Sequence, residues 1–224
     1  MIPISDAEHK PRRFPFINIA LILINVYVFF LQLTTSDPEG FIYTYALVPA
    51  NINFSDWSTL YPFITSMFLH GSILHIASNM IFLWVFGDNV EGEMPPFVYL
   101  ILYLGSGIVG GLSQYMLAPA STLPMLGASG AVAGALGAYF ILFPHHQIKT
   151  LILLPFFLTT ARISASVMLG YWIVLQIISG SGALGQTMGQ EGGVAYFAHI
   201  GGFLAGIVFA WLFARPLTPE RFHE

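Results

Sequence analysis

The chain has no cysteine. That excludes disulfides, thiolate nucleophiles and cysteine-held metals. Charge is scarce as well: 8% of the 224 residues are charged and 56% are hydrophobic. A soluble domain carries about 25% charged residues. Too little polar surface remains to coat a globule, so the solvent must largely be lipid. Lysine and arginine number only 7, with a net charge of -4, which argues against nucleic acid as a partner. No HExxH is present, so a zinc protease is unsupported, and no cofactor or metal is expected. A small-residue cleavage site is also lacking behind the first apolar run, which follows Lys10, Arg12 and Arg13. That run reads as a retained transmembrane helix rather than a signal peptide.

What is present is a series of long apolar runs. A crossing helix needs about 20 mostly apolar residues. Runs at Phe16–Leu33, Ile64–Phe86, Phe97–Leu117, Leu126–Phe143 and Val194–Phe213 meet or approach that length. The region Ile148–Ile178 is too long for one crossing and is interrupted by Arg162. A charge at mid-bilayer is costly. Arg162 therefore belongs at an interface, with a crossing at Ile163–Ile178 and a hairpin or short amphipathic piece at Lys149–Thr160. The fold expected is an all-α polytopic membrane protein with six transmembrane helices. It forms a single membrane domain over residues 1–224, with short tails at about 1–15 and 214–224.

Six crossings place both ends on one side. Lys10, Arg12 and Arg13, then Lys149 and Arg162, then Arg215 and Arg221 all fall on that side. The opposite loops, Thr34–Phe63, Ala118–Met125 and Ser179–Gly193, hold no basic residue. By the positive-inside rule both termini are cytoplasmic. The long first outer loop is rich in aromatics, and Trp57, Tyr43 and Tyr45 suit the outer interface. The Gly-rich stretch before the last helix reads as mobile.

The stretch LGASGAVAGALGAY holds one hydroxyl among small apolar residues. Ser129 lies three residues into the fourth run, and His199 five into the sixth. At about 1.5 Å per residue both sit roughly 5–8 Å below the outer edge of the apolar band. In the second helix His75 and Asn79 are four apart and share a face; His70 faces away from it. Taken singly, each residue has a plain reading. A serine in a helix bonds a carbonyl, a buried histidine is a satisfied donor, and Asn79 is interhelical glue. His145 and His146, beside Pro144, read as interfacial. Gly130, Gly134 and Ala138, like Gly202 and Gly206, read as helix contacts. Such contacts would bring Ser129 near His199, and convergence at one depth changes the reading.

A serine hydroxyl is a poor nucleophile until a base takes its proton. His199 could do that and later protonate the leaving amine. No Asp or Glu lies within the six crossings, so the pair would be a dyad. Ser129 is near a helix N-terminus, where free N–H groups favour an anion. Those groups, with Asn79 and His75, could form an oxyanion hole. Gly127 and Gly130 would let a substrate backbone approach closely.

These residues resemble the rhomboid intramembrane serine proteases. The second helix carries HGSILHIASN, the fourth GASG and the sixth AHIGGFLAG, in the family's order. The resemblance spans the first helix to Phe213. It implies a rhomboid fold and cleavage of transmembrane protein substrates in or near their membrane segments, in the lipid bilayer of the cell (plasma or inner) membrane. It makes Ser129 the nucleophile and His199 the base. His75, Asn79 and the Ser129 N–H become the oxyanion site, His70 a support, and Glu91 a structural carboxylate. The fifth helix and the Gly-rich loop resemble the family's lateral gate and cap.

Two departures stand out. Tyr61-Pro62 occupy the place of the family's Trp-Arg before Thr65, and Ala133 stands where some members stack an aromatic on the base. Another group must then orient His199. A catalytically silent client-binding protein is the alternative, and the intact Ser129–His199 pair argues against it. A small transporter would call for repeats and charged midplane residues, which the sequence lacks.

Overall fold

In a computed structural model of the chain, residues 2–6, 13–153, 158–184 and 194–214 are described. The elements run β1 (Ile2–Asp6), α1 (Phe16–Thr34), α2 (Pro38–Tyr45), α3 (Pro62–Thr65), α4 (Ile73–Phe82), α5 (Asp88–Gly92), α6 (Pro96–Leu117), α7 (Ser129–Leu142), β2 (Gln147–Leu153), β3 (Leu158–Ser164), α8 (Ala165–Leu184) and α9 (Tyr196–Phe213). Among the described residues five helices are long and apolar enough to cross a membrane: Phe16–Thr34, Ile73–Gly92, Pro96–Leu117, Ala165–Gly182 and Tyr196–Phe213. α7 is a shorter apolar helix. The protein is thus a polytopic helical membrane protein, as the sequence indicates.

α7 has 14 residues and is about 21 Å long, roughly 9 Å short of a 30 Å hydrocarbon layer. Its residues Gly130 to Tyr139 are all buried. A helix that is apolar on every side belongs inside a bundle. α6 and α9 pack against it most extensively. The small residues expected as helix contacts do meet. A Cβ added at Gly202 would strike the Gly130 carbonyl, and one at Gly206 the Gly134 carbonyl.

The second crossing departs from its expected bounds. Leu69 is extended, and Ser72 caps the helix by accepting from the His75 N–H at 3.1 Å. A Gly-Ser pair thus starts α4 at Ile73, nine residues after the expected Ile64. The helix continues through a π-helical stretch, Leu83–Gly87, into α5. Asp88 and Glu91 therefore belong to this crossing, which was expected to hold no carboxylate. The Glu91 carboxylate accepts from the backbone N–H groups of Ile17 (3.0 Å) and Asn18 (2.8 Å). It supplies the N-terminal cap that α1, entered at Pro15, lacks.

α1 is held by amides spaced seven apart. Asn18 donates to the Leu83 carbonyl and accepts from the Tyr99 hydroxyl. Asn25 donates to Leu21 O of its own helix and reaches the Tyr103 hydroxyl of α6 at 3.5 Å, and Gln32 reaches the loop before α4. Buried amides stabilise helix contacts in lipid when each finds a partner.

At the opposite end from α4's start, β1, β2 and β3 form an antiparallel sheet in that order. Of the two forms expected for Lys149–Thr160, a hairpin or a short amphipathic piece, the antiparallel strands β2 and β3 match the first, and they extend past those bounds so that Lys149 stands opposite Arg162. Ile2–Asp6, expected within a tail, forms its outer strand. Asp6 accepts from Asn89 Nδ2 (3.1 Å) and from the Tyr139 hydroxyl, and lies 3.2 Å from His146 Nδ1. His146 is thus bound into this cluster rather than simply facing an interface. Lys10, Arg12, Pro155, Arg215, Arg221, most of the Gly-rich stretch and the end of the C-terminal tail lie outside the described residues.

Candidate active site

Ser129 was expected three residues inside its helix; it is the first residue of α7. The chain arrives through Met125, paired with Leu47 by two backbone bonds, and Gly127, whose N–H donates to Ser66 O at 2.9 Å. Gly127 has φ +126°, the left-handed region that glycine tolerates. This turn aims Ser129 inward. The first helical bond is Val132 N–H to Ala128 O. The N–H groups of Ser129, Gly130 and Ala131 therefore precede the ladder, at the positive end of the helix dipole. A small cavity beside them is lined by Ser66, Met67, Gly107, Gly111, Gly130 and Ala198, among others.

His199 stands on the first turn of α9, which Gln114 of α6 fixes by accepting from the Phe197 N–H at 3.2 Å. The glycine seam lets α9 approach α7 backbone to backbone. His199 Nε2 consequently lies 2.8 Å from Ser129 Oγ. The imidazole is nearly buried. The hydroxyl of Ser129 thus pairs with a histidine and not with a helix carbonyl.

The groups that orient His199 come from α8. Gln176 Oε1 lies 2.8 Å from His199 Nδ1, and the Trp172 ring stands 5.7 Å from the imidazole, tilted by 34°. Trp172 and Gln176 are four apart and share a face. Neither was singled out in the sequence. The available signal was an amide in an otherwise apolar crossing, where a polar side chain needs a partner.

His75 sits against Gly127. A Cβ added there would lie 2.8 Å from both Nε2 and Cε1 of the ring. The Gly71 N–H points at His75 Nδ1 across 3.4 Å. An acceptor at Nδ1 leaves the proton on Nε2, the nitrogen beside Gly127 and Ser129. His70 is fully buried, its ring 5.2 Å from that of His75, edge to face. Gln32 clamps the His70 backbone on both sides, donating to its carbonyl at 2.7 Å and accepting from its N–H at 3.2 Å. Asn79 is buried, but its amide donates to the His75 carbonyl of its own helix at 3.2 Å.

The first loop is anchored despite the Tyr61-Pro62 departure. The Tyr61 hydroxyl donates to Thr44 O, and the Thr65 hydroxyl to Tyr45 O, each at 2.7 Å. Trp57, Tyr43 and Tyr45 are exposed, as an interfacial loop requires.

Residues 58–216 match the family model described as Rhomboid domain. The chain is 31% identical over 162 residues to "Rhomboid protein 1, mitochondrial" of Saccharomyces cerevisiae, covering 70% of this chain and 43% of the yeast protein. It is 28% identical to "Rhomboid-like protein 11, chloroplastic" of Arabidopsis thaliana, covering 73% and 55%. It is 30% identical over 125 residues to "Rhomboid protease GluP" of Bacillus subtilis, covering 56% and 24%. The chain spans about half the length of the first of these relatives, or less.

Proposed function

The chain belongs to the rhomboid family, and from that premise we propose that it is an intramembrane serine endopeptidase acting on transmembrane protein substrates. The observation that carries this reading is the 2.8 Å approach of His199 Nε2 to Ser129 Oγ, at the N-terminus of a buried helix too short to span the bilayer. The name of the Bacillus relative, a rhomboid protease, supports it.

In this reading His199 accepts the Ser129 proton as the oxygen attacks the substrate carbonyl. The oxyanion meets the N–H groups at the start of α7 and the Nε2–H of His75. Asn79 joins them by rotating off the His75 carbonyl. As the C–N bond breaks, His199 returns the proton to the leaving amine, leaving an acyl-Ser129. Water then attacks the acyl carbon, giving a proton to His199, and His199 passes that proton to Ser129 Oγ as the acyl C–O bond breaks, releasing the acid and regenerating the hydroxyl. Gly127 keeps the approach to Ser129 free of side chain. His70, clamped by Gln32, supports His75.

Both termini are assigned to the cytoplasm of a cell or inner membrane, following the charge asymmetry of the loops. Ser129 then lies roughly 9 Å below the outer surface of the hydrocarbon layer, and cleavage falls near the outer end of the client helix. The test uses purified protein in liposomes with a model transmembrane substrate. Cleavage by wild type, lost in Ser129→Ala with binding retained, is the expected result. Substrate binding without cleavage by wild type would favour the silent client-binding protein. Cleavage unchanged in Ser129→Ala would overturn the reading.

A further inference from the structure

We propose that Gln176 is the positioning residue of the Ser129–His199 pair, occupying the place that a carboxylate holds in a soluble serine protease; this rests on the protease reading above. Three observations meet here. Gln176 Oε1 lies 2.8 Å from His199 Nδ1, while Nε2 of the same ring lies 2.8 Å from Ser129 Oγ. Ala133 presents no ring to the imidazole, so orientation must come from elsewhere. Trp172, one turn before Gln176, stands against the ring from the same helix.

The chemistry follows from the acceptor. A neutral imidazole carries one proton. With Oε1 as acceptor, that proton stays on Nδ1 and the Nε2 lone pair faces the serine hydroxyl. This is the tautomer a general base requires. Without the acceptor the ring can carry its proton on Nε2, where it donates to Ser129 and cannot activate it. Soluble serine proteases depend on this same control of the tautomer. Unlike a carboxylate, the amide adds no charge to a site that lipid surrounds, so it avoids the cost of a buried ion.

The consequence is mechanical. Ser129, His199 and their glycine seam belong to α7 and α9, but the acceptor belongs to α8. The far side of α8, including Tyr171, Val174 and Ile178, is exposed. The base is therefore oriented only while α8 stands against α9. Displacement of α8 by more than about 1 Å breaks the bond to Nδ1 and disarms Ser129.

The experiment measures turnover of the model transmembrane substrate and the labelling rate of Ser129 by a small fluorophosphonate, which needs no substrate binding. The variants are Gln176→Leu, Gln176→Asn and Gln176→Glu. Leu keeps the volume and removes the acceptor. Asn keeps the amide but stops one methylene short. Glu keeps the reach and the acceptor. The expected result is a loss of about tenfold in both kcat and labelling rate for Leu and Asn, with KM unchanged, and recovery to within about threefold of wild type in Glu. A purely structural role would move KM and folding together and would not distinguish Asn from Glu. Should Leu fail to fold, Asn against Glu decides alone. Wild-type labelling in Asn, or a Glu variant as slow as Asn, overturns the proposal while the protease reading stands. Equal labelling of wild type and Ser129→Ala overturns the protease reading itself.

Discussion

Gly206→Ala introduces one methyl group into the α7–α9 seam, and the structure fixes what that methyl meets. Its Cβ would lie 2.6 Å from the carbonyl carbon and 2.7 Å from the Cα of Gly134, and nearer still to the carbonyl oxygen. Carbon atoms pack comfortably at about 3.5–4.0 Å. Both partners are backbone, so no side chain can swing aside, and the helices must separate by about 1 Å. Overpacking of this kind costs about 1–3 kcal/mol, which a bundle of this size can survive. The larger effect is at the site. His199 lies seven residues earlier on the same helix, about 10 Å away along the axis, and a rigid shift of α9 carries it along. A misplacement of 1 Å costs about 10²-fold in rate. The expected outcome is a folded protein with roughly 10²-fold slower fluorophosphonate labelling of Ser129 and equally reduced cleavage. Gly182→Ala is the control, because a Cβ there meets nothing within 4 Å; it should label at the wild-type rate. A Gly206→Ala protein that labels as fast as wild type would refute the reasoning. It would mean that the seam does not set the distance between hydroxyl and imidazole.

Two further outcomes are expected. Glu91→Ala leaves two backbone N–H groups at the start of α1 without their acceptor. It should lower the melting temperature in detergent by about 5–10 °C without changing kcat in the folded fraction; an unchanged melting temperature would remove Glu91 as the cap. Asn79→Ala should slow kcat by about 10²-fold with KM unchanged. A rate within about twofold of wild type would mean that Asn79 keeps its bond to the His75 carbonyl throughout turnover.

The helical architecture was legible because lipid imposes a simple rule: backbone groups must be satisfied within the segment, and about 20 apolar residues mark it. The three motifs were legible because intramembrane polar residues are few, and those on alternate crossings reach the same depth. Local chemistry was harder to read. The start of α4 depended on Ser72 accepting from an N–H three residues on, which an apolar run conceals. Asp88 and Glu91 fall beyond Phe86, the expected end of the second crossing, because the apolar run stops there, but the helix continues through Gly92 and Glu91 is buried against the α1 N-terminus. The strand Ile2–Asp6 pairs with a partner more than 140 residues away, and five residues beside a basic stretch give no sign of it. Trp172 and Gln176 escaped for a different reason. Ala133, on the fourth crossing, leaves open which group orients His199. The answer lies on the fifth, and no periodicity within one helix reveals which neighbour it faces.

The central claim is that His199 activates Ser129. Intact-mass analysis after fluorophosphonate treatment tests it most directly, comparing wild type, Ser129→Ala and His199→Ala in the same liposomes. The account predicts one adduct on wild type, located at Ser129, and none on either folded variant over the same interval. An adduct on folded His199→Ala at the wild-type rate, or on wild type at a residue other than Ser129, would contradict it.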